Sequence, residues 1–114
     1  MKLIIGDTTL TAVLAENSTT AALREMLAEG PVTIAMQDYG SMEKVGSFPR
    51  SLPRNDESIT TEPGDLILYQ GRAFVIYYAP NSWSFTRIGK IEGITARELK
   101  RILGDGNVSV TLSL

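Results

Sequence analysis

The 114-residue chain is predicted to be mainly β, a closed antiparallel β-barrel with two helices capping it. Three observations carry that prediction. Short stretches alternating apolar and polar residues recur along the chain, and only two segments have helical periodicity. Several predicted strands follow one another with no helix between them, which argues against a doubly wound sheet. The first and last alternating stretches are able to pair, and closure of that kind removes exposed sheet edges.

Leu3 and Ile5, then Leu10, Ala12 and Leu14, alternate on either side of Gly6-Asp7, the pattern of a hairpin with a tight turn. Asn17 or Ser18 then caps a helix whose apolar face is Leu23, Met26 and Leu27. Gly30-Pro31 ends it, since glycine tolerates the left-handed C-terminal position and proline cannot continue the turn. Val32, Ile34 and Met36 alternate with Thr33, Ala35 and Gln37 to give a third strand. From Asp38 to Gly64 no periodicity is sustained, so a long irregular loop is expected there.

Leu66 to Tyr69 and Ala73 to Tyr78 flank Gln70-Gly71-Arg72 as a second hairpin. Ser84 to Ile91 forms another strand after the loop Pro80-Asn81-Ser82. Thr95-Ala96-Arg97-Glu98 fits a capping box, in which hydroxyl and carboxylate satisfy each other's free backbone N–H groups. Leu99, Ile102 and Leu103 supply the stripe of this second helix, and Gly104 ends it. Val108, Val110, Leu112 and Leu114 alternate with polar residues, as in a strand with one wet face.

The chain is the size of a single domain, residues 1–114. Surface scaling gives a folded area of roughly 6,100 Å² against about 18,000 Å² unfolded, enough burial for one core without metal or disulfide. Histidine and cysteine are both absent, which excludes Ser-His-Asp and Cys-His nucleophile systems, thiolate or imidazole metal sites and disulfides. Asp56-Glu57 and Glu62 with Asp65 lack the spacing of a calcium loop, so no metal is expected. No glycine-rich phosphate motif occurs, and no cofactor is expected.

The net charge of −2 offers no general attraction to phosphate backbones or anionic membranes, so nucleic acid and membrane are not expected partners. No apolar run approaches the ~20 residues of a membrane-spanning helix. The apolar start Leu3-Ile4-Ile5 ends at Gly6-Asp7, too early for a signal peptide, and a cytoplasmic location is expected.

All eight aromatic residues lie between Tyr39 and Phe85. Tyr69, Phe74 and Tyr77 read as core. Tyr39, Phe48, Trp83 and Phe85 stand in or beside loops and read as a binding rim, where an aromatic ring is covered by ligand while its polar end stays wet. Lys44 to Arg54 holds three cations, two prolines and no acid. Within it Arg50, set between apolar residues and prolines, is the candidate hydrogen-bond donor of a cleft, because a guanidinium stays charged when partly desolvated.

Phe48-Pro49-Arg50-Ser51-Leu52-Pro53 resembles the cyclophilin segment Phe-His-Arg-x-Ile-Pro, whose arginine is the principal catalytic residue of those prolyl isomerases. Pro63-Gly64-Asp65 is similar to the family's Gly-Gly-Asp, and Val75-Ile76-Tyr77-Tyr78-Ala79 followed by Trp83 is similar to its Phe-Ile-Cys-x-Ala strand and loop tryptophan. Gly89-Lys90-Ile91-Glu92-Gly93 resembles Gly-Lys-Val-x-x-Gly ahead of the second helix. The pieces run in order over residues 48 to 103 and point to the small, divergent bacterial and archaeal cyclophilin-like domains.

The resemblance implies Arg50 as catalytic residue, and Tyr39, Phe48, Val75, Tyr78, Trp83 and Phe85 are the ligand-binding residues expected beside it. It departs from the family at the histidine, whose place falls on Phe85, and at the glutamine, replaced by Glu62 or Pro63. Prolyl isomerisation needs neither a covalent intermediate nor an obligatory proton transfer. Its amide barrier of about 18–20 kcal/mol falls when a donor aimed at the prolyl nitrogen weakens amide resonance. Three functions follow as expectations: a binding module for an extended, proline-containing peptide or a small ligand; a weak peptidyl-prolyl isomerase using Arg50; and a non-catalytic subunit that binds another protein. The oligomeric state is left open.

Overall fold

A computed structural model describes residues 1–114. β1 (Lys2–Ile5) and β2 (Thr8–Leu14) form the first hairpin, and α1 (Ser18–Ala28) follows. β3 (Val32–Tyr39) and β4 (Glu43–Ser47) form a second hairpin, and β5 is short (Glu57–Thr60). β6 (Asp65–Tyr69), β7 (Ala73–Tyr77) and β8 (Ser82–Ile91) precede α2 (Ala96–Leu103) and β9 (Val108–Ser113).

Around the barrel the order is β1, β9, β3, β4, β7, β6, β8 and β2, with β2 returning to β1. Every pairing is antiparallel. The first and last strands pair as expected, with Leu3 opposite Leu112, and the ring closes where β2 meets β8. β5 stands outside the ring and pairs with the first half of β8, Glu57 opposite Phe85 through Thr60 opposite Ser82. The accessible surface, 5993 Å², is that of a closed domain of this length.

One face of each barrel strand points inward. Leu3, Ile34, Met36, Leu66, Leu68, Phe74, Ile76, Ile88, Val110 and Leu112 fill the interior. Leu23, Met26 and Leu27 of α1 and Leu99 and Leu103 of α2 join the same core, so each helix covers one part of the barrel. Both helices begin as the sequence requires. Asn17 accepts from the Thr20 N–H at 2.9 Å while its own N–H donates to Thr20 Oγ1, and Thr95 with Glu98 makes the predicted capping box. A cap is worth about 1 kcal/mol, whereas each buried Leu or Met is worth about 1.5–3 kcal/mol, so docking on the barrel outweighs capping in holding the helices.

The expected irregular loop from Asp38 to Gly64 is corrected by two strands inside it, β4 and β5. Gly40 and Ser41, both at positive φ, turn the chain so that Glu43 to Val45 lie against Tyr39 to Gln37. Gly46 is needed for that pairing: a Cβ there would stand 2.5 Å from Ile34 Cγ2 and 2.6 Å from the Ala35 carbonyl oxygen. β8 also starts two residues earlier than expected, at Ser82, because β5 supplies it with a partner.

Candidate functional site

β4, β6, β7 and β8 form one wall of the barrel, and their outward residues, with Ile59 of β5, build a second, smaller apolar layer. Ile59, Ile67, Val75, Tyr77 and Phe85 are each 5 % exposed or less in this layer. Phe85 is its centre, with Tyr77 at 5.6 Å and Tyr69 at 6.0 Å between ring centroids in tilted and edge-on arrangements. A pocket of about 370 Å³ opens beside them. Val45, Val75 and Phe85 supply its apolar surface, Tyr69 and Tyr77 its inner rings, and Tyr39 and Trp83 its rim. Tyr39 is 68 % and Trp83 61 % exposed, whereas Phe85 is 2 % exposed, so the rings run from solvent down to a buried floor.

The polar groups of the pocket are placed by strand register. Tyr39 lies opposite Glu43 across β3 and β4, and Glu43 lies opposite Tyr77 across β4 and β7. Directly opposed residues share a sheet face with Cβ atoms about 4.5–5.5 Å apart, so a glutamate stands between two tyrosines in one row. Glu43 is nearly buried, at 6 % exposure. Burial raises its carboxyl above the ordinary value, and the facing Tyr77 hydroxyl offsets part of that rise. Burial pushes the Tyr77 hydroxyl up to about 12; a hydrogen bond from Asn81 Nδ2 at 3.2 Å opposes the rise, and the Glu43 charge adds to it. Asn81 is itself held by two bonds with Thr61, each 2.8 Å.

Of the residues expected at the site, Tyr39, Val75, Trp83 and Phe85 meet in this pocket. Phe48, Tyr78 and Arg50 lie elsewhere. Phe48 turns into the barrel, 1 % exposed, with its ring 5.3 Å from that of Phe74. Leu52 is also buried, and the chain between these two anchors arches outward and carries Arg50 with it. Phe48 donates its N–H to the Arg72 carbonyl and Leu52 to that of Gly71, while Arg72 clamps the Phe48 and Pro49 carbonyls at 3.1 and 3.0 Å. Arg50 therefore pairs with Glu29 at the end of α1, at 2.8 Å, in a separate polar groove with Glu25 and Ser51.

Tyr78 faces the barrel interior, opposite in direction to Tyr77. Its hydroxyl donates to Asp38 Oδ1 and to the Glu43 carbonyl, and burial followed by the Asp38 carboxylate raises its pKa strongly. The Lys100 ammonium sits 5.3 Å from the centre of its ring.

Glu43, Val45, Tyr69, Tyr77 and Asn81 line the pocket without having been expected there. For Tyr69 and Tyr77 the signal was present: Leu66-Ile67-Leu68-Tyr69 and Phe74-Val75-Ile76-Tyr77 are apolar at consecutive positions, the mark of strands covered on both faces. Glu43 and Val45 were hidden by the unrecognised strand β4. The lining offers aromatic faces, a tyrosine hydroxyl, an amide and one carboxylate, an inventory for holding a ligand. No three acidic side chains gather as they would around a metal ion.

No helix is long and apolar enough to cross a membrane. None of the curated proteins and none of the solved structures compared with the chain is significantly similar to it. The family model described as the cyclophilin-like family matches residues 3–113, nearly the whole length. With the closed eight-stranded barrel and its two helices, that match establishes that the chain belongs to the cyclophilin-like family.

Proposed function

We propose that this domain is a cyclophilin-fold binding module that receives one end of an extended peptide or a small ligand in the aromatic pocket between Tyr39 and Trp83. The cytoplasmic setting expected from the sequence belongs to the same proposal. The observation that carries it is the run of aromatic rings from an exposed rim to a buried floor on the outer wall of the barrel. Exposed tyrosine and tryptophan beside a concave apolar floor are what a ligand covers at little conformational cost.

The alternative, a weak prolyl isomerase, needs a cation facing the bound amide. Arg50 is spent on Glu29 in a different groove, and no Lys or Arg lines the aromatic pocket. Binding without isomerisation is thus the better-supported reading.

Trp83 is the single tryptophan and reports on the pocket directly. Titration with a library of Xaa-Pro peptides and small aromatic or aliphatic compounds is expected to shift its emission with saturation, and Val75→Phe, which fills the floor without adding a second indole, is expected to abolish the response. Absence of a saturable shift with any class, in a folded protein, would falsify the binding reading. In a protease-coupled assay Arg50→Ala is expected to leave the Xaa-Pro isomerisation rate unchanged; a rate that falls to background in this variant restores the isomerase. The same substitution removes an exposed ion pair and is expected to change stability by less than about 1 kcal/mol in urea unfolding.

A further inference from the structure

Glu43 is out of place among the residues around it. Its neighbours in register are Tyr39 and Tyr77, and the rest of the pocket is Val45, Tyr69, Val75, Trp83 and Phe85 with the neutral amide of Asn81. Carboxylates this deeply buried normally face a cation or several donors, since an ionised group taken out of water costs several kcal/mol if unpaired. Here the facing donor is a single phenol, that of Tyr77.

The nearest lysine in sequence does not serve it. Lys44 points to the opposite side of β4, where its ammonium lies 2.8 Å from Asp38 Oδ1 and donates to the Gly106 carbonyl at 2.6 Å. No Lys or Arg lines the pocket, so Glu43, its one carboxyl group, has no cation opposite it. The surrounding rings add to the same potential, because the face of an aromatic ring is electronegative and attracts a cation within about 6 Å of its centre. Charge and rings together leave one complementary partner.

We propose that the pocket recognises an alkylammonium group, with Glu43 as its counter-ion at the floor and the faces of Tyr39, Tyr77 and Trp83 around the methyl or methylene groups. This inference rests on the binding reading above and names the ligand chemistry of that pocket. The cation supplies the partner that the fold withholds from Glu43, and its alkyl groups take the apolar surface of Val75 and Phe85. The same chemistry reaches the pocket as a free quaternary amine or as a methylated lysine on a peptide.

The test uses the full chain with choline, its neutral isostere 3,3-dimethyl-1-butanol, and one short peptide with and without trimethylation of its lysine. Binding is read from Trp83 emission and from broadening of the ligand methyl resonances. Choline is expected to bind at least tenfold more tightly than the isostere. Glu43→Gln, close to isosteric, is expected to erase that preference while leaving the isostere within twofold. Tyr39→Leu alters an exposed rim position and tests the same point without touching the floor; it is expected to weaken choline at least threefold and the isostere little.

Preference of the trimethylated peptide over both its unmodified form and choline assigns the peptide source, and the reverse order assigns the free amine. Equal binding of choline and the isostere, unchanged in Glu43→Gln, overturns the ammonium inference and leaves the pocket as a neutral binding site. Failure of all four probes at millimolar concentration also overturns it, while the broader library titration decides the binding reading separately.

Discussion

Asp38→Asn is expected to destabilise the domain by about 3 kcal/mol, and Lys44→Met by less than half of that. The two residues form one ion pair, but they are not equivalent. The Lys44 side chain is completely buried, whereas that of Asp38 is 34 % exposed. Asp38 also collects the Tyr78 hydroxyl and the Gly106 N–H, the latter at 2.9 Å, so it is the acceptor on which three donors converge. Neutralising it leaves an ammonium in the barrel interior with no counter-charge and only neutral acceptors, such as the Gly106 carbonyl, around it. Replacing the lysine by a similarly shaped apolar chain leaves a carboxylate that water already reaches and that keeps two donors. Against a typical total stability of about 5–15 kcal/mol, a loss of 3 kcal/mol is large and corresponds to a fall in Tm on the order of 10–20 °C.

The same contacts set an acid limb. Hydrogen bonds from Lys44, Tyr78 and Gly106 hold the Asp38 carboxyl at about 2, below its ordinary 3.8. A depressed carboxyl stabilises the fold above the unfolded value and loses that contribution as pH falls. Wild-type stability from this group is therefore lost between about pH 4 and pH 2, and Asp38→Asn removes the component. Urea unfolding followed by circular dichroism at pH 7 and pH 3 checks both statements. Equal costs for Asp38→Asn and Lys44→Met at pH 7 would show that burial asymmetry does not govern this pair.

The β4 segment that carries Lys44 also shows where sequence reading stops. The barrel was legible because most strands obey a period of two: Leu3 and Ile5, Ile34 and Met36, and Val110 and Leu112 all point inward as their alternation requires. The helices were legible from Asn17 and from the Thr95–Glu98 box, local signals that tertiary packing did not override. Glu43-Lys44-Val45-Gly46-Ser47 has no such signal, since its inward residues are a lysine and a glycine. Lysine lies inside because Asp38 is brought to it by β3, and glycine because β3 approaches too closely for a side chain. Both causes sit on another strand and leave no local trace.

The pocket divides along similar lines. Tyr39, Val75, Trp83 and Phe85 were expected to share a site, and the four line one pocket. The resemblance of Phe48-Pro49-Arg50 to a catalytic segment carried the expectation that Arg50 joins them, yet orientation is a property of the anchors rather than of the motif. Phe48 and Leu52 are both drawn into the core, and the intervening arginine faces solvent and Glu29. Tyr78 fails for a simpler reason: it directly follows Tyr77, the last residue of β7, and the alternation of the strand carries over, so the two point to opposite faces. Of two adjacent tyrosines, only one faces the pocket.

Gly89→Ala is expected to cost about 2–3 kcal/mol by opening the barrel where it closes. Gly89 lies in β8 between two partners, opposite Leu14 of β2 on one side and Leu66 of β6 on the other. Its backbone is not in the left-handed region, so the need for glycine is steric. A Cβ would fall within the contact radius of the Val13 carbonyl oxygen and 3.1 Å from the Leu14 Cα, atoms of the neighbouring backbone that cannot rotate away. The strands must then separate, and this seam has only three residue pairs, Ala12–Ile91, Val13–Lys90 and Leu14–Gly89, extended by the Ala15 N–H bond to Ile88. Gly93→Ala is the control. Gly93 has φ +70° and open space around it, so its alanine suffers backbone strain of roughly 1–2 kcal/mol without a clash. Amide exchange separates the two causes: in Gly89→Ala protection is expected to fall first at Leu14 and Ala15, whereas in Gly93→Ala the seam keeps its rank. Gly89→Val, with a larger clash at the same point, is expected to lose more than Gly89→Ala; equal costs for the two would mean that the strands already yield at the first methyl group, and that closure rests on the helices instead.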